Sequence, residues 1–533
     1  MKTRIELCTI FCKRTNTEGN LNPKRILYLC IIVCLLSCEK ETGLPDNSDV
    51  IPATFDLREH NLVTPVRNQN GIKPDGSSDM GAPVGLCWAF AGLAGMESNM
   101  LKQGITSNPL GPDASLSPWY LGNYIGFNDP CYAFNPATIP GLEPPTTFGY
   151  YYPSCGWGGG GSHWVGDYLI AGKEVPTWNE SPMPAADMTA RSALTPPVAH
   201  LKKQYSISKM PLFFADDFAT TADYIKHVKK YIMDNGAIQS FVHLEAIDLP
   251  GMTSHVVNGI TYTGYRFMDK VNYNMFTYEA ENLGTGFLTH AITIAGWDDH
   301  RMINVRGRAA QGAWLIKDSQ GETSWDKGYF WVAYDDIAVN VFAAGLIVGK
   351  EPDHAHQSKY QTHPGMLSML TENNLYNEKN CIELGLYSYL LNGNSSTTSW
   401  GVAEFPLHNS EALTAVGIFC SNRDQKVSVQ VYKNNLSSTP LITQDFALDD
   451  MGYHLLKLDH DLGFLSNETM LIAVGFENDP SHKRLPLCYA RNNNHDFVYP
   501  TYFGKKEGGV FQLTPYDDLN PNSAFFLQAI VRK

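Results

Sequence analysis

One cysteine, Cys87, stands directly before a run of good helix formers in the stretch GLCWAFAGLA, residues 85–94. A thiol in the first turn of a helix faces unpaired backbone N–H groups and the positive end of the helix dipole, which both favour the thiolate. Because the thiolate is a strong nucleophile, this placement is typical of covalent catalysis. A small buried cysteine packed beside Trp88 would give the same local pattern, so the rest of the chain must distinguish the two.

Three further segments carry polar side chains that could act together with a thiol. They are VTPVRNQ, which ends at Gln69, THAITIAGW, which contains His290, and WLIKDS, which contains Asp318. Taken singly, each has an ordinary explanation as a core, surface or strand-end polar group. Taken in order with the cysteine helix, the four segments resemble the papain family of cysteine peptidases.

The resemblance covers roughly residues 51–340 and implies a role for each of these side chains. Cys87 would attack a peptide carbonyl, while His290 would take its proton and form a thiolate–imidazolium pair with it. Gln69 would donate its side-chain N–H to the developing oxyanion. Asp318 would orient the histidine ring. The implied activity is that of a cysteine-type endopeptidase acting on proteins or peptides.

The resemblance also implies where a substrate would bind. Gly160 and Gly161, followed three residues later by Trp164, match the family's glycine pair, where a side chain would block an extended substrate backbone. Trp88, beside the nucleophile, is predicted to contact substrate as well. Such hydrolysis uses no cofactor, and the cysteines lack the spacing of a zinc site, so neither a cofactor nor a metal is expected.

The chain departs from the family pattern beside the histidine. Asp318 stands where the family usually has asparagine, and Gln320 stands where it has tryptophan. An aspartate can still accept the histidine N–H, but without the tryptophan the bond is less shielded from water. Trp325 is near enough in sequence to replace the missing ring in part. The departures keep one alternative open, a catalytically inactive papain-like surface binding or adhesion protein.

The first 38 residues predict an export signal. Lys24-Arg25 precede an 11-residue apolar run, Ile26–Leu36, which is too short to span a bilayer but suits the core of a signal peptide. The segment LLSC that ends at Cys38 resembles the lipobox of bacterial lipoproteins, in which the cysteine is lipidated and begins the mature chain. An ordinary secretory signal is the alternative. With residues 39–50 as a polar tether, we expect a lipid-anchored protein of the bacterial cell envelope.

Length and hydrophobic patterning predict two folded domains in the 533 residues. One helical pattern (222–235) followed by strand patterns predicts an α+β, papain-like fold over residues 51–349, with a helical lobe and a β-barrel-like lobe. After Gly349, short alternating runs separated by turn residues predict an all-β sandwich over residues 350–533. This part resembles the lectin-like β-domain that follows some bacterial papain-like peptidases.

The net charge narrows the classes of partner that the protein could bind. The net charge of −14, with scattered acidic residues, argues against nucleic acid as a partner, since that requires a basic stripe. We expect three partners: a protein or peptide substrate, the membrane through lipidated Cys38, and carbohydrate at the C-terminal domain.

In an oxidising compartment, Cys131 and Cys155 are the most plausible disulfide, because both lie in one loop-like stretch.

Overall fold

A computed structural model describes the chain in segments. They are residues 50–69, 85–111, 113–124, 164–170, 174–182, 205–244, 255–257, 260–262, 267–269, 271–278, 290–349, 357–361, 398–479, 489–491, 499–515 and 523–532. Contacts group Ile51–Lys533 into one compact unit, and the fold below is that of this unit. The predicted signal, Cys38, nearly all of the tether, and Cys131 and Cys155 lie outside the described residues.

Four α-helices occur in these segments: α1 (Cys87–Lys102), α2 (Pro118–Tyr124), α3 (Trp164–Ile170) and α4 (Thr221–Asn235). Every residue of α1 from Trp88 to Leu101 is buried, which is the pattern of a helix enclosed on all sides. Gly92 permits the close packing of α1 on α3, because a Cβ there would lie 2.6 Å from Val165 Cγ2. The helix that begins at Cys87 is therefore the central helix of the fold.

The strands before residue 350 are β1 (Thr54–Asp56), β2 (Ile207–Phe214), β3 (Ile238–Val242), β4 (His255–Val257), β5 (Ile260–Tyr262), β6 (Met268–Asp269), β7 (Asn274–Met275), β8 (His290–Val305), β9 (Arg308–Lys317), β10 (Tyr329–Ala333), β11 (Phe342–Ala344) and β12 (Ile347–Val348). Those after it are β13 (Gln357–Gln361), β14 (Thr398–Pro406), β15 (Glu411–Cys420), β16 (Gln425–Lys433), β17 (Ile442–Leu448), β18 (Met451–Phe464), β19 (Thr469–Glu477), β20 (Tyr489–Arg491), β21 (Thr501–Glu507), β22 (Val510–Pro515), β23 (Ser523–Phe525) and β24 (Leu527–Arg532).

Two large sheets contain most of these strands. The long sheet runs in the order β13-β24-β15-β18-β2-β11-β3-β8-β9-β10-β7-β6, with β1 paired to β8 and β12 paired to β2. The second sheet runs in the order β17-β16-β19-β14-β21-β22. Both are open, and strand residues far outnumber helical residues in the described part of the chain, so the helical and barrel-like lobes remain a prediction.

The long sheet joins strands from both halves of the chain. β18 pairs antiparallel with β2, with Met451 opposite Leu212 and Tyr453 opposite Met210. Tyr453 and Phe526 also belong to the hydrophobic cluster around α1. Because the ladder and the core continue from one half to the other, the sheet shows no break at the predicted boundary near residue 350. The division into 51–349 and 350–533 stays a prediction.

A second hydrophobic core lies between the two sheets. Phe405, Val429 and Ile472 reach it from the six-stranded sheet, and Ile418 and Leu527 reach it from the long sheet. Two sheets that enclose a common core have the arrangement of a β-sandwich. In the part of the chain that is described, no helix is both long enough and apolar enough to cross a bilayer.

Gly452 lies where β18 meets β2. Its φ is +118°, and an added Cβ would lie 2.0 Å from the carbonyl oxygen of Met210. We expect Gly452→Ala to lower the free energy of unfolding by about 2–6 kcal/mol, because backbone strain and overpacking each cost about 1–3 kcal/mol. Urea unfolding measures the change. Gly463→Ala on the same strand, where no atom lies within 4 Å of an added Cβ, should stay within about 0.5 kcal/mol. Equal losses for the two variants would contradict this view of the junction.

Candidate active site

The pairing of β8 with β9 brings two of the predicted residues to one edge of the sheet. His290 is the first residue of β8, and Asp318 directly follows the last residue of β9. The strands are antiparallel with Thr293 opposite Lys317, so the start of one and the end of the other coincide. The helix α1 packs on β8, where the Thr293 hydroxyl donates to the Ala91 carbonyl at 3.2 Å. This contact places the N-terminal end of α1 beside the same edge.

Three predicted residues form one hydrogen-bonded chain there. His290 Nε2 lies 2.7 Å from Asp318 Oδ1, and both side chains are almost fully buried. His290 also hydrogen-bonds the half-buried thiol of Cys87. Since Nε2 is engaged by the carboxylate, the ring nitrogen that faces the thiol is Nδ1. The histidine therefore bridges a thiol and a carboxylate through its two nitrogens, which is the geometry of a nucleophile, a base and an orienting group.

The environment favours the charged form of both the thiol and the imidazole. Burial by itself raises the pKa of Cys87, but the hydrogen bond and positive charge of His290, with the N–H groups of Ala291 and Trp88, outweigh it and bring the pKa below its ordinary value. Burial likewise lowers the pKa of His290, but the charge of Asp318 and its hydrogen bond outweigh it, so this pKa lies above its ordinary value. Opposite shifts in the two partners stabilise a thiolate–imidazolium pair near neutral pH.

Gln69 is held against the residue that follows Asp318. Its Oε1 accepts from the Ser319 hydroxyl at 2.6 Å, and its backbone N–H donates to the Ser319 carbonyl at 2.7 Å. Because a hydroxyl donates to Oε1, the NH₂ group occupies the other arm of the buried amide. This orientation presents a donor, which is what oxyanion stabilisation requires. Ser319 is a positioning residue that the sequence reasoning missed.

A buried network of polar side chains holds the segment that leads to Gln69. Glu97, in the middle of α1 and 0% exposed, accepts from Arg67 Nη2 at 2.7 Å and from the Leu116 N–H at 2.7 Å. Thr64 donates to the other oxygen of Glu97 and accepts from Lys317 Nζ at 3.0 Å. Thr64 and Arg67 lie just before Gln69 in the chain, and Lys317 directly precedes Asp318. The network therefore connects the Gln69 segment, the helix α1 and the end of β9. Sequence reasoning did not identify it, although a Glu within an apolar helix was a usable signal.

The second oxygen of Asp318 also has a partner. Trp325 Nε1 donates to Asp318 Oδ2 at 2.5 Å. Oδ1 accepts from the Ser319 N–H at 2.7 Å in addition to His290. The ring expected to compensate for Gln320 therefore contacts the carboxylate directly. Gln320 itself pairs with Asn68 in an isolated bridge, so it helps to hold the Gln69 segment.

The predicted substrate contacts turn out differently. The Trp88 side chain is 0% exposed and packs edge-on against Trp164 at 5.3 Å, so it belongs to the core and does not line the substrate surface. The prediction was wrong because a large apolar ring one residue into a buried helix points to the helix packing face. Gly160 and Gly161 lie outside the described residues.

The arrangement of sheet, central helix and site defines the class of fold. Two solved structures of one protein have a similar fold. One is the clostridial cysteine protease Cwp84 after propeptide cleavage, 18% identical, covering 90% of this chain and 99% of that one, with a TM-score of 0.59. The other contains the cysteine protease and lectin-like domains of Cwp84, a surface layer associated protein of Clostridium difficile, 16% identical, covering 95% and 96%, with a TM-score of 0.61.

At this identity the similarity shows the fold alone, and the fold is papain-like with a second domain. The prediction of a papain-like fold with a second domain is confirmed at that level. No protein-family model matches the sequence, and no curated protein matches it either.

Proposed function

We propose that the chain is a cysteine-type endopeptidase that hydrolyses peptide bonds of proteins or peptides. The observation that carries the proposal is the chain from the Cys87 thiol through His290 to Asp318, with the bond from His290 Nε2 to Asp318 at 2.7 Å. It lies at the N-terminal end of the central helix of a papain-like fold. A core histidine would need no thiol partner, and a structural cysteine would need no lowered pKa.

The groups at the site support a complete acyl-transfer cycle. The Cys87 thiolate attacks the peptide carbonyl, and the resulting oxyanion accepts N–H bonds from the Gln69 amide and from the Cys87 backbone in the first helical turn. The imidazolium of His290 then gives its Nδ1 proton to the leaving amine as the C–N bond breaks, which leaves a thioester on Cys87. Neutral His290 takes a proton from water as the water attacks the thioester, and the acid and the thiolate are released.

Asp318 supports the proposal in place of the asparagine that the family usually has. Its charge favours the imidazolium, and its hydrogen bond holds the ring with Nδ1 toward Cys87. The inactive alternative rested on the missing tryptophan at Gln320 and on this aspartate. Since Trp325 and Ser319 both donate to the Asp318 carboxylate, the orienting group is anchored, and the reason for the alternative weakens.

We propose further that this cleavage takes place at the bacterial cell envelope, on a chain anchored through lipidated Cys38. The support is the apolar run followed by LLSC and the description of Cwp84 as surface layer associated. Gly160 and Gly161 would bind the extended substrate backbone. The lectin-like domain of Cwp84 supports carbohydrate as a ligand of the C-terminal strands. Cell fractionation distinguishes a membrane-bound chain from a released one.

Alkylation of the full chain with iodoacetamide between about pH 4 and pH 10 tests the proposed activity. Only the thiolate reacts, and an ordinary thiol has a pKa of about 8.5. Because His290 lowers the pKa of Cys87, labelling of Cys87 should rise through mildly acidic pH and level off well below pH 8. The same preparation should hydrolyse an unfolded protein substrate, and complete labelling should stop the hydrolysis.

A second thiol within the described residues serves as an internal comparison. Cys420 is 0% exposed, and burial raises its pKa to about 12. Peptide mapping should therefore find label on Cys87 and none on Cys420 while the chain is folded. Labelling of Cys87 that rises only near pH 8.5, with no hydrolysis of unfolded protein, would rule out the proposed peptidase.

A further inference from the structure

We propose that Trp325 is a positioning residue for the proposed reaction. Its indole N–H donates to the side chain of residue 318, which must therefore be a carboxylate, and this hydrogen bond holds the carboxylate against His290. The inference rests on the proposed peptidase chemistry. Asp318 and Trp325 then act as one coupled pair, in which the indole donor of Trp325 requires an acceptor oxygen on residue 318.

Every hydrogen bond that the structure describes for the Asp318 carboxylate comes from a donor. Oδ1 accepts from His290 Nε2 and from the Ser319 N–H, each at 2.7 Å, and Oδ2 accepts from Trp325 Nε1 at 2.5 Å. An asparagine could offer its single carbonyl oxygen to His290 and Ser319. Its NH₂ would then face the indole N–H, and two donors cannot bond each other. An asparagine flipped to satisfy the indole would turn its NH₂ toward the histidine.

The loop between β9 and β10 holds the indole in this place. Trp325 has φ +55° and Lys327 has φ +54°, a left-handed conformation that is uncommon for residues with side chains. Gly328, with φ +84°, closes the loop where its carbonyl accepts the Asp318 N–H at 2.9 Å. The Trp325 ring packs against Phe330 at 5.3 Å. Backbone angles that are unfavourable in energy persist only where surrounding contacts hold them. In this loop they direct the indole N–H of Trp325 toward Asp318 Oδ2.

A double-mutant cycle of Asp318→Asn and Trp325→Phe in the full chain tests the coupling. Trp325→Phe removes the N–H but keeps a ring against Phe330, and it should lower kcat about tenfold, the lower range for a hydrogen bond to a charged group. Asp318→Asn should lower kcat about 10²-fold, since it loses the charge and meets an opposed donor. The double variant should be about tenfold more active than Asp318→Asn, because the opposed donor is gone. Independent effects would multiply to about a 10³-fold loss.

Two readouts separate positioning from a general loss of structure. A positioning residue changes kcat while KM stays nearly constant, and it shifts the pH profile of Cys87 alkylation toward that of an ordinary thiol. Trp331→Phe is the matched control. Trp331 lies on the neighbouring strand with Arg301 stacked over its ring at 4.3 Å, and this variant should keep kcat within about twofold of the wild type.

The outcomes distinguish this inference from the function on which it rests. A wild type that labels at Cys87 no faster than an ordinary thiol overturns both. Fast wild-type labelling, with losses in the two single variants that simply multiply in the double variant, overturns the coupling and leaves the peptidase standing. An Asp318→Asn variant as active as the wild type also overturns it. Partial recovery in the double variant, in kcat and in the alkylation profile together, supports it.

Discussion

Replacing His290 with alanine is expected to lower kcat/KM for peptide hydrolysis by about 10⁴-fold or more. The general base alone contributes about 10²–10⁴-fold, and the variant also loses the interaction that keeps Cys87 ionised. The hydrogen bond and charge of His290 are the largest influences that lower the pKa of Cys87, and they act against burial. Without them burial dominates, so the pKa of Cys87 should rise and the thiol should stay protonated at neutral pH.

The pH dependence makes the His290→Ala result specific. At mildly acidic pH the wild type should alkylate quickly, while the variant should react only at pH values above about 8.5, where an ordinary thiol ionises, because burial then raises the pKa of Cys87. His300→Ala is the matched control, because His300 lies on the same strand β8 and is exposed. That variant should resemble the wild type in both hydrolysis and labelling. Unchanged labelling of Cys87 in His290→Ala at pH 5 would contradict the ion pair.

Replacing Gln69 with alanine should separate oxyanion stabilisation from ionisation of the nucleophile. Loss of one oxyanion donor typically lowers kcat by about 10²–10³-fold. The pH profile of Cys87 alkylation should stay as in the wild type, because Gln69 is not among the groups that shift the pKa of the thiol. Steady-state kinetics and alkylation on the same preparations measure both quantities.

Two further variants accompany Gln69→Ala, one with a smaller expected effect on kcat and one as a control. Ser319→Ala removes the hydroxyl that holds Gln69 Oε1 at 2.6 Å, so kcat should fall by about tenfold, the size of one hydrogen bond of about 1.4 kcal/mol. Gln311→Ala changes an exposed glutamine of β9 and should have almost no effect. A Gln69→Ala variant with normal kcat but slow labelling would contradict the assigned role and place Gln69 in the ion pair.

The helices and strands near the site follow largely from local patterns. The helix at Cys87 and the helix that ends at Asn235 were predicted at nearly the observed positions. Strand patterns over 291–297 and 313–317 predicted only parts of β8 and β9, which run over His290–Val305 and Arg308–Lys317. β2 was not predicted, because ISKMPLFF contains a proline and lacks regular alternation. It forms through tertiary pairing with β18, more than two hundred residues away in the chain. Local propensity carries no information about such a partner.

The amino-acid sequence by itself determined which residues could perform the chemistry and in what order they occur. Cys87 at a helix start, His290 at a strand start and Asp318 after a strand are local facts of residue type and spacing. Only the tertiary structure decided how they are held, because hydrogen bonds such as that from Trp325 to Asp318 depend on loop backbone angles. It also decided that Trp88 lies in the core. Burial and donor–acceptor geometry arise from contacts between distant segments, so no local pattern encodes them.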